Sequence, residues 1–406
     1  MADRTRRRRR RARRRRLRAR WGMLAGMAAW GALLAAAPRP GRPQLTVPAR
    51  MAGLAPEQAP RFHTAARGAE LAVLGGPVLF RLRARAPRPI ASVTKVMTAY
   101  LTLRHLGHGL GRRDRVALAA ADVEDYDQGL PHDDSEVAMH PGEQVTVADL
   151  LWALMLPSAD DAAWALARVD AGSARAVVAE MNATARRLGL RATRYADPDG
   201  VRPGSRSDPA DLVRLVEDAW RLPAFRELAG VARHRAGPFG TLTNLNRLLG
   251  QDGVVGVKTG WTPAAGSCLA FVGERHGLTL VGVVLGEPHF RGMFRDVAGL
   301  LLNTGYRLPR RLVVRAGERV ARLPLPGPGG ASVPLVAAHS LQLVLTAPWL
   351  SLRVESLAVR LPLRAGTPAA ELVVSQPGWP ARRVPLLAAW GYRPPWWLWP
   401  ARWWGA

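Results

Sequence analysis

Cysteine occurs once in 406 residues, at Cys268, which excludes an intramolecular disulfide framework and most thiolate metal sites. Lysine is almost as scarce. Of 58 basic residues only Lys95 and Lys258 are lysines, so 58 less 2 leaves 56 arginines. Arginine does not release its proton in proteins, so a chain that carries nearly all its positive charge this way keeps a titratable amine at two places only. Surface charge does not require that choice. Acidic residues number 31 against the 58 basic ones. Their densest run, Glu124, Asp125, Asp127, His132, Asp133 and Asp134 within residues 122–136, lacks the alternation and glycine of a calcium loop. It reads as a solvated loop rather than a calcium or zinc site. Against these absences, 48% hydrophobic residues exclude global disorder, and the length admits two or three domains.

The formal charge of +27 points to nucleic acid until it is mapped. Residues 1–20 hold thirteen arginines and one aspartate, hence +12, leaving +15 for the rest. Such a block repels itself and suits anionic lipid or nucleic acid. Residues 21–37 are an uncharged run of 17, ending in Ala35, Ala36 and Ala37 before Pro38. A basic segment, an apolar segment and small residues in that order predict a secretion signal or an uncleaved anchor. The arginines are then cytoplasmic, and the remainder is exported, at or beyond the outer face of the membrane. A nucleic-acid arm would leave the apolar run unexplained, so nucleic acid is set aside as a partner. Residues 38–61, rich in proline and aperiodic, read as a linker.

Residues 91–100, Ala-Ser-Val-Thr-Lys-Val-Met-Thr-Ala-Tyr, open a run whose apolar members Val93, Val96, Met97, Tyr100 and Leu101 recur at helical spacing. On a helix Ser92 and Lys95 share a face, about 5–6 Å apart at their β-carbons, so the amine can reach the hydroxyl. A serine hydroxyl needs such a neighbour to take its proton. A lone Ser-x-x-Lys is nonetheless a weak signal, common on surface helices.

Ahead of it, residues 70–74 and 78–83 flank Gly75, Gly76 and Pro77 as a hairpin. Thr146 and Asp149 frame a capping box that opens a helix at 150–156. Ser158 and Asp160 follow Pro157 at a break between that helix and another at 162–169; Ser158 is either a cleft hydroxyl or a plain N-cap. Residues 195–208 form a loop, and 209–221 resume helical spacing. Residues 254–257 read as a strand ending in Lys258 and Thr259, and 268–272 with 278–285 as a second hairpin. A helix at 290–303 closes the run. Strands at both ends with helices between them predict an α+β domain over 62–305, an antiparallel sheet flanked by helices that pairs its first and last segments. Short strand-like runs at 312–314, 319–323, 332–336, 341–345, 352–361 and 370–374 predict a small all-β domain over 306–385. The tail 386–406 holds six tryptophans between Trp390 and Trp404 and reads as a membrane-interface contact.

Three elements now stand in order: Ser92-x-x-Lys95, Ser158-x-Asp160 and Lys258-Thr259-Gly260. With the segments starting at Pro89, Asp149 and Gly256 that carry them, this resembles the penicillin-binding, serine-type D-alanyl-D-alanine carboxypeptidases, whose fold is that of the β-lactamases. The resemblance covers residues 62–303. It implies that Ser92 attacks the carbonyl between the last two D-alanines of a peptidoglycan stem peptide while Lys95 takes its proton. Backbone N–H groups of Ser92 and Trp261 would form the oxyanion hole, and Ser158 would relay a proton to the leaving amine. Lys258 and Thr259 would bind the substrate's terminal carboxylate, with Asp160 and Gly260 also contacting substrate; no metal or organic cofactor would be needed, and β-lactams would acylate Ser92 as covalent inhibitors. The family has asparagine where this chain has Asp160. An ionised carboxylate only accepts, and pairing with Lys95 or Lys258 would hold that lysine charged. Two other readings stay open: a class A β-lactamase, although the loop around 197–208 holds no glutamate to activate water, and a non-catalytic wall-binding protein.

Overall fold

The computed structural model describes residues 39–47, 50–52, 63–106, 114–123, 137–202, 204–275, 277–308, 310–327, 329–345 and 349–395. The arginine block, the apolar run at 21–37, most of the acidic stretch and the tail from 396 lie outside the described residues. Among the described residues no helix is long and apolar enough to cross a membrane. Contacts divide the chain into two units, one of Ala55–Pro309 with Pro377–Pro380, the other of Met1–Leu54, Arg310–Gln376 and Ala381–Ala406.

The first unit is built on a five-stranded antiparallel sheet of β1 (Gly68–Val73), β2 (Val78–Leu82), β3 (Val254–Thr262), β4 (Gly266–Arg275) and β5 (Leu278–Glu287). Its order is β3-β4-β5-β1-β2, so the first hairpin pairs with the last strands, Val283 standing opposite Glu70. All six residues of β1 are buried, as are the central residues of β4 and β5, which is why these runs are nearly continuously apolar. β3 is an edge strand.

Against the sheet lie helices α1 (Lys95–Leu106), α2 (Val147–Met155), α3 (Asp160–Ala171), α4 (Ala174–Arg187), α5 (Pro209–Ala219), α6 (Pro223–Gly230) and α7 (Phe290–Leu300). The spacing in α1 predicts one apolar face, yet the helix is buried from Lys95 through Leu103. Its threonines make this possible by finding partners: Thr98 donates to the Pro198 carbonyl at 2.6 Å, and Thr102 donates to Asp170. Each fully buried apolar side chain such as Met97 or Leu101 contributes about 1.5–3 kcal/mol, so α1 is the axis of the core. The capping box is formed at α2, where Asp149 N–H donates to Thr146 Oγ1 at 3.0 Å and Thr146 N–H to Asp149 Oδ2 at 3.1 Å. α5 starts on Asp208, which accepts from the Asp211 N–H at 2.8 Å, with Pro209 in the first turn.

In the second unit a seven-stranded sheet takes Arg319–Pro324, Ser332–Ala337, Trp349–Ser356, Pro368–Ser375 and Arg382–Ala388 from the carboxy-terminal part. Its two remaining strands, Gln44–Leu45 and Arg50–Ala52, come from the stretch expected to be pure linker. They pair with residues 321–322 and 349–351. Strands of two and three residues are too short to show alternation, so proline content dominated the reading. The strand expected at 352–361 ends instead at Ser356.

Candidate active site

Ser92 sits in a 3₁₀ turn, Ala91–Thr94, that runs directly into α1, whose first residue is Lys95. The two side chains meet as their spacing requires, Lys95 Nζ lying 2.8 Å from Ser92 Oγ. Lys95 is fully buried, and its amine has two further neighbours, Asp160 Oδ1 at 2.5 Å and the Asp199 carbonyl oxygen at 3.1 Å. The loop carrying Asp199 closes tightly on the serine turn. Gly200, at φ +89°, would put a β-carbon 2.0 Å from the Ala91 carbonyl oxygen, so only glycine fits there.

On the other side stands the edge strand β3. Lys258 and Thr259 are buried, and the Lys258 amine donates to the Thr259 carbonyl at 3.1 Å. Gly260 is pressed against the serine turn: a β-carbon there would lie 2.9 Å from Ser92 N and 3.0 Å from Val93 N. This contact puts the second lysine's strand against the nucleophile's backbone N–H. Burial pushes the Lys258 amine well below its usual range, the positive charge of Lys95 adds to that, and Asp160 opposes it. Trp261, next along the strand, is 39% exposed and gives the site its large aromatic rim.

The third element enters between α2 and α3. Ser158 is buried and holds φ +72°, a left-handed conformation that costs a non-glycine residue about 1–2 kcal/mol. It is not a helix cap, since Ala159 occupies the N-cap of α3 and no side chain caps that end. Ala91 also has positive φ, at +47°, so two of the four such non-glycine residues among the described ones flank this site. Asp160 opens α3 and contacts Lys95; its side chain keeps 30% of its surface exposed. Burial raises the Asp160 carboxyl above the usual carboxylate range, Lys95 pulls it back, and Asp199 raises it further.

The structure brings Ser92, Lys95 and Asp160 into contact, with Gly260 against the Ser92 backbone and Lys258 within reach of the charges of Lys95 and Asp160, while Thr259 is next along the strand and Ser158 stands two residues before Asp160. Several partners escaped the sequence reading. Asp197 ties the neighbouring loop by accepting from Gly200 N–H at 3.0 Å, Arg202 N–H at 2.7 Å and the Ser205 hydroxyl at 2.5 Å. The Asp199 carboxylate accepts from Trp164 Nε1 at 2.6 Å and Val201 N–H at 2.9 Å, and Arg202 lies over the Trp164 ring. The aspartate-to-glycine interval 197–200 signals a turn, but nothing local says that the Asp199 carbonyl reaches Lys95. Asp122, expected in a solvated loop, is instead buried and bound by Arg168 at 2.8 and 2.6 Å. Acidic residues follow it from Glu124, but its partner lies 46 residues away on α3. No group of three or more metal-ligating side chains occurs among the described residues.

Comparison with known proteins points one way. The family model for D-alanyl-D-alanine carboxypeptidase matches residues 66–289. The D-alanyl-D-alanine carboxypeptidase of Streptomyces sp. strain K15 is 32% identical over 250 residues, 57% of this chain and 84% of that protein. DacF of Bacillus subtilis is 28% identical over 218 residues, 52% of this chain and 54% of that one. The crystal structure of the Streptomyces K15 DD-transpeptidase superposes with TM-score 0.54 at 30% identity, over 59% of this chain and 96% of that chain. A peptidoglycan synthesis regulatory factor (PBP3) from Streptococcus pneumoniae shares the fold, with TM-score 0.65 at 22% identity over 82% of this chain and all of that one.

Proposed function

The chain belongs to the D-alanyl-D-alanine carboxypeptidase family and is a serine hydrolase of that class; from that premise we propose that Ser92 is the residue acylated by the penultimate D-alanine of a peptidoglycan stem peptide. The observation that carries the reading is the 2.8 Å contact between Lys95 Nζ and Ser92 Oγ, with Gly260 packed on the Ser92 backbone. Lys95 takes the Ser92 proton as Oγ attacks the scissile carbonyl carbon. The N–H groups of Ser92 and Trp261 receive the developing oxyanion. Ser158 passes the proton to the departing amine, which leaves as free D-alanine, and water then cleaves the ester and restores Ser92.

An edge strand offers unpaired backbone groups, so an extended peptide can pair with β3 and lay its scissile bond over Ser92. Lys258 and Thr259 then meet the terminal carboxylate, which accounts for selection of a free carboxy terminus. A β-lactam presents the same amide carbonyl and carboxylate, so it acylates Ser92 too. The carboxylate of Asp199 is already engaged by Trp164 and Val201, which favours slow deacylation over the water-activating glutamate chemistry of a class A β-lactamase. The peptidoglycan substrate places the work outside the cytoplasm. The arginine block followed by the apolar run 21–37 supports export with retention or cleavage at that segment, and the tryptophans after Trp390 support contact with a membrane surface.

The test is release of D-alanine from a stem pentapeptide, followed by mass spectrometry. The wild type should yield the tetrapeptide and Ser92→Ala none; product from the variant at the wild-type rate would overturn the assignment.

A further inference from the structure

Resting on the reading of Ser92 and Lys95 as nucleophile and base, we propose that Asp160 works as a neutral carboxylic acid, accepting from Lys95 through Oδ1 and donating to the substrate through Oδ2. The hydrogen-bond inventory at Lys95 leads there. Its amine has three neighbours, of which the Asp160 Oδ1 and the Asp199 carbonyl accept, while the Ser92 hydroxyl can donate. A neutral amine has two N–H bonds and one lone pair. Two N–H bonds satisfy the two acceptors, and the lone pair is left aimed at the Ser92 O–H. An ammonium fills the same three contacts with three N–H bonds and has no lone pair to take the serine proton. The contacts admit either form, and it is the role of base, which needs the lone pair, that requires the free amine and another place for its proton.

Asp160 provides that place. In the acid form its Oδ1 still accepts from Lys95, while Oδ2 carries an O–H, and 30% of the side chain stays open to solvent or substrate. Acceptor on one side and donor on the other is the pattern of an asparagine side chain. Relative to the ion pair, one N–H bond on Lys95 is exchanged for one O–H bond on Asp160, by way of water at the exposed side, and the net charge of the pair stays zero. Substrate covering the cleft removes that water, which penalises the ion pair more than the neutral pair. When Oγ attacks, Lys95 takes the serine proton, and the pair becomes singly positive beside the negative tetrahedral intermediate. The charged groups facing Asp160 are Lys95 from α1, Lys258 from β3 and Asp199 from the 195–200 loop. Burial and Asp199 favour its acid form, and the two lysines oppose it. Asp160 is a positioning residue toward Lys95 and a substrate donor in its own right.

The active state holds one proton between Lys95 and Asp160, and this fixes the sign of the test. With asparagine at 160 the donor is permanent, but the free amine must come from loss of a proton to solvent. The acid side of the pH profile for acylation by a fluorescent penicillin should therefore move to higher pH in Asp160→Asn. Asp160→Ala, which removes acceptor and donor together, should lose tenfold or more at every pH. If Asp160 instead only clamps Lys95 as an ammonium, Asp160→Asn accelerates acylation and its acid side moves to lower pH. That shift, or no shift, would overturn the proposal. Infrared difference spectra of wild type against Asp160→Asn at pH 7 give a second measurement that does not depend on activity. A protonated-carboxyl band unique to wild type is expected, and a carboxylate band alone would contradict it. Absence of wild-type labelling at every pH would count against the Ser92 assignment as a whole, whereas Ser92-dependent labelling without the upward shift removes only the role given to Asp160.

Discussion

At the scale of the residue, the chemistry rests on the difference between an amine and a guanidinium. Lys95→Arg keeps a cation beside Ser92 but cannot surrender a proton, so acylation should fall by about 10²–10⁴-fold, measured as the second-order rate of penicillin labelling. Retention of the wild-type rate would exclude Lys95 as the base. Away from the site, the carboxyl of Glu287 is raised to about 7, first by burial, then by its hydrogen bond with Asp296 and the charge of that residue. The folded protein therefore holds this proton where the unfolded chain has lost it, and the stability it contributes is lost as pH rises from the ordinary carboxylate range through about 7. Thermal melts should fall between pH 5 and pH 8, and Glu287→Gln should flatten that slope. The two lysines were legible at this scale because arginine fills every other basic position. Asp160 was legible as a departure but its partner was not, since a carboxylate near two amines can pair with either. Asp199 was invisible because it acts through its backbone oxygen, which carries no side-chain signature.

At the scale of the element, the site is made where four segments abut without room to spare. Gly260→Ala would bring a β-carbon to 2.9 Å from Ser92 N, an approach that backbone cannot relieve by rotating a side chain. The turn must move, and displacement of this order costs about 100-fold in acylation rate. Folding should persist, which circular dichroism would check. The helix that delivers Ser158 is held at its start by the Thr146 and Asp149 box, and Thr146→Ala should cost about 1 kcal/mol in a denaturant melt. The box was readable from four residues because capping is local. The same holds for both hairpins, whose turns lie at Gly75 and Gly277 with positive φ. Helices α4 and α6 were not anticipated: α4 is half solvent-facing and rich in arginine, and α6 spans only Pro223–Gly230, so neither shows a long apolar stripe.

At the scale of the molecule, the sequence order of strands and helices was enough to predict that the first hairpin and the last strands share a sheet. It was not enough to show that residues 44–45 and 50–52 belong to the sheet of the second unit, because pairing across about 280 to 300 residues leaves no local mark on two or three residues. A variant lacking residues 1–38 should keep the second unit's melting transition, whereas one lacking residues 1–54 loses two edge strands and should melt at a lower temperature. Equal melting of the two variants would show that these strands contribute nothing.

All of this depends on Ser92 forming an ester that water cleaves slowly. Intact mass of the protein after brief exposure to a penicillin, with peptide mapping of the adduct, is the most direct measurement. One equivalent, located on the peptide containing Ser92 and missing in Ser92→Ala, is the expected result. An adduct on another residue, or none while the penicillin is rapidly hydrolysed, would contradict it.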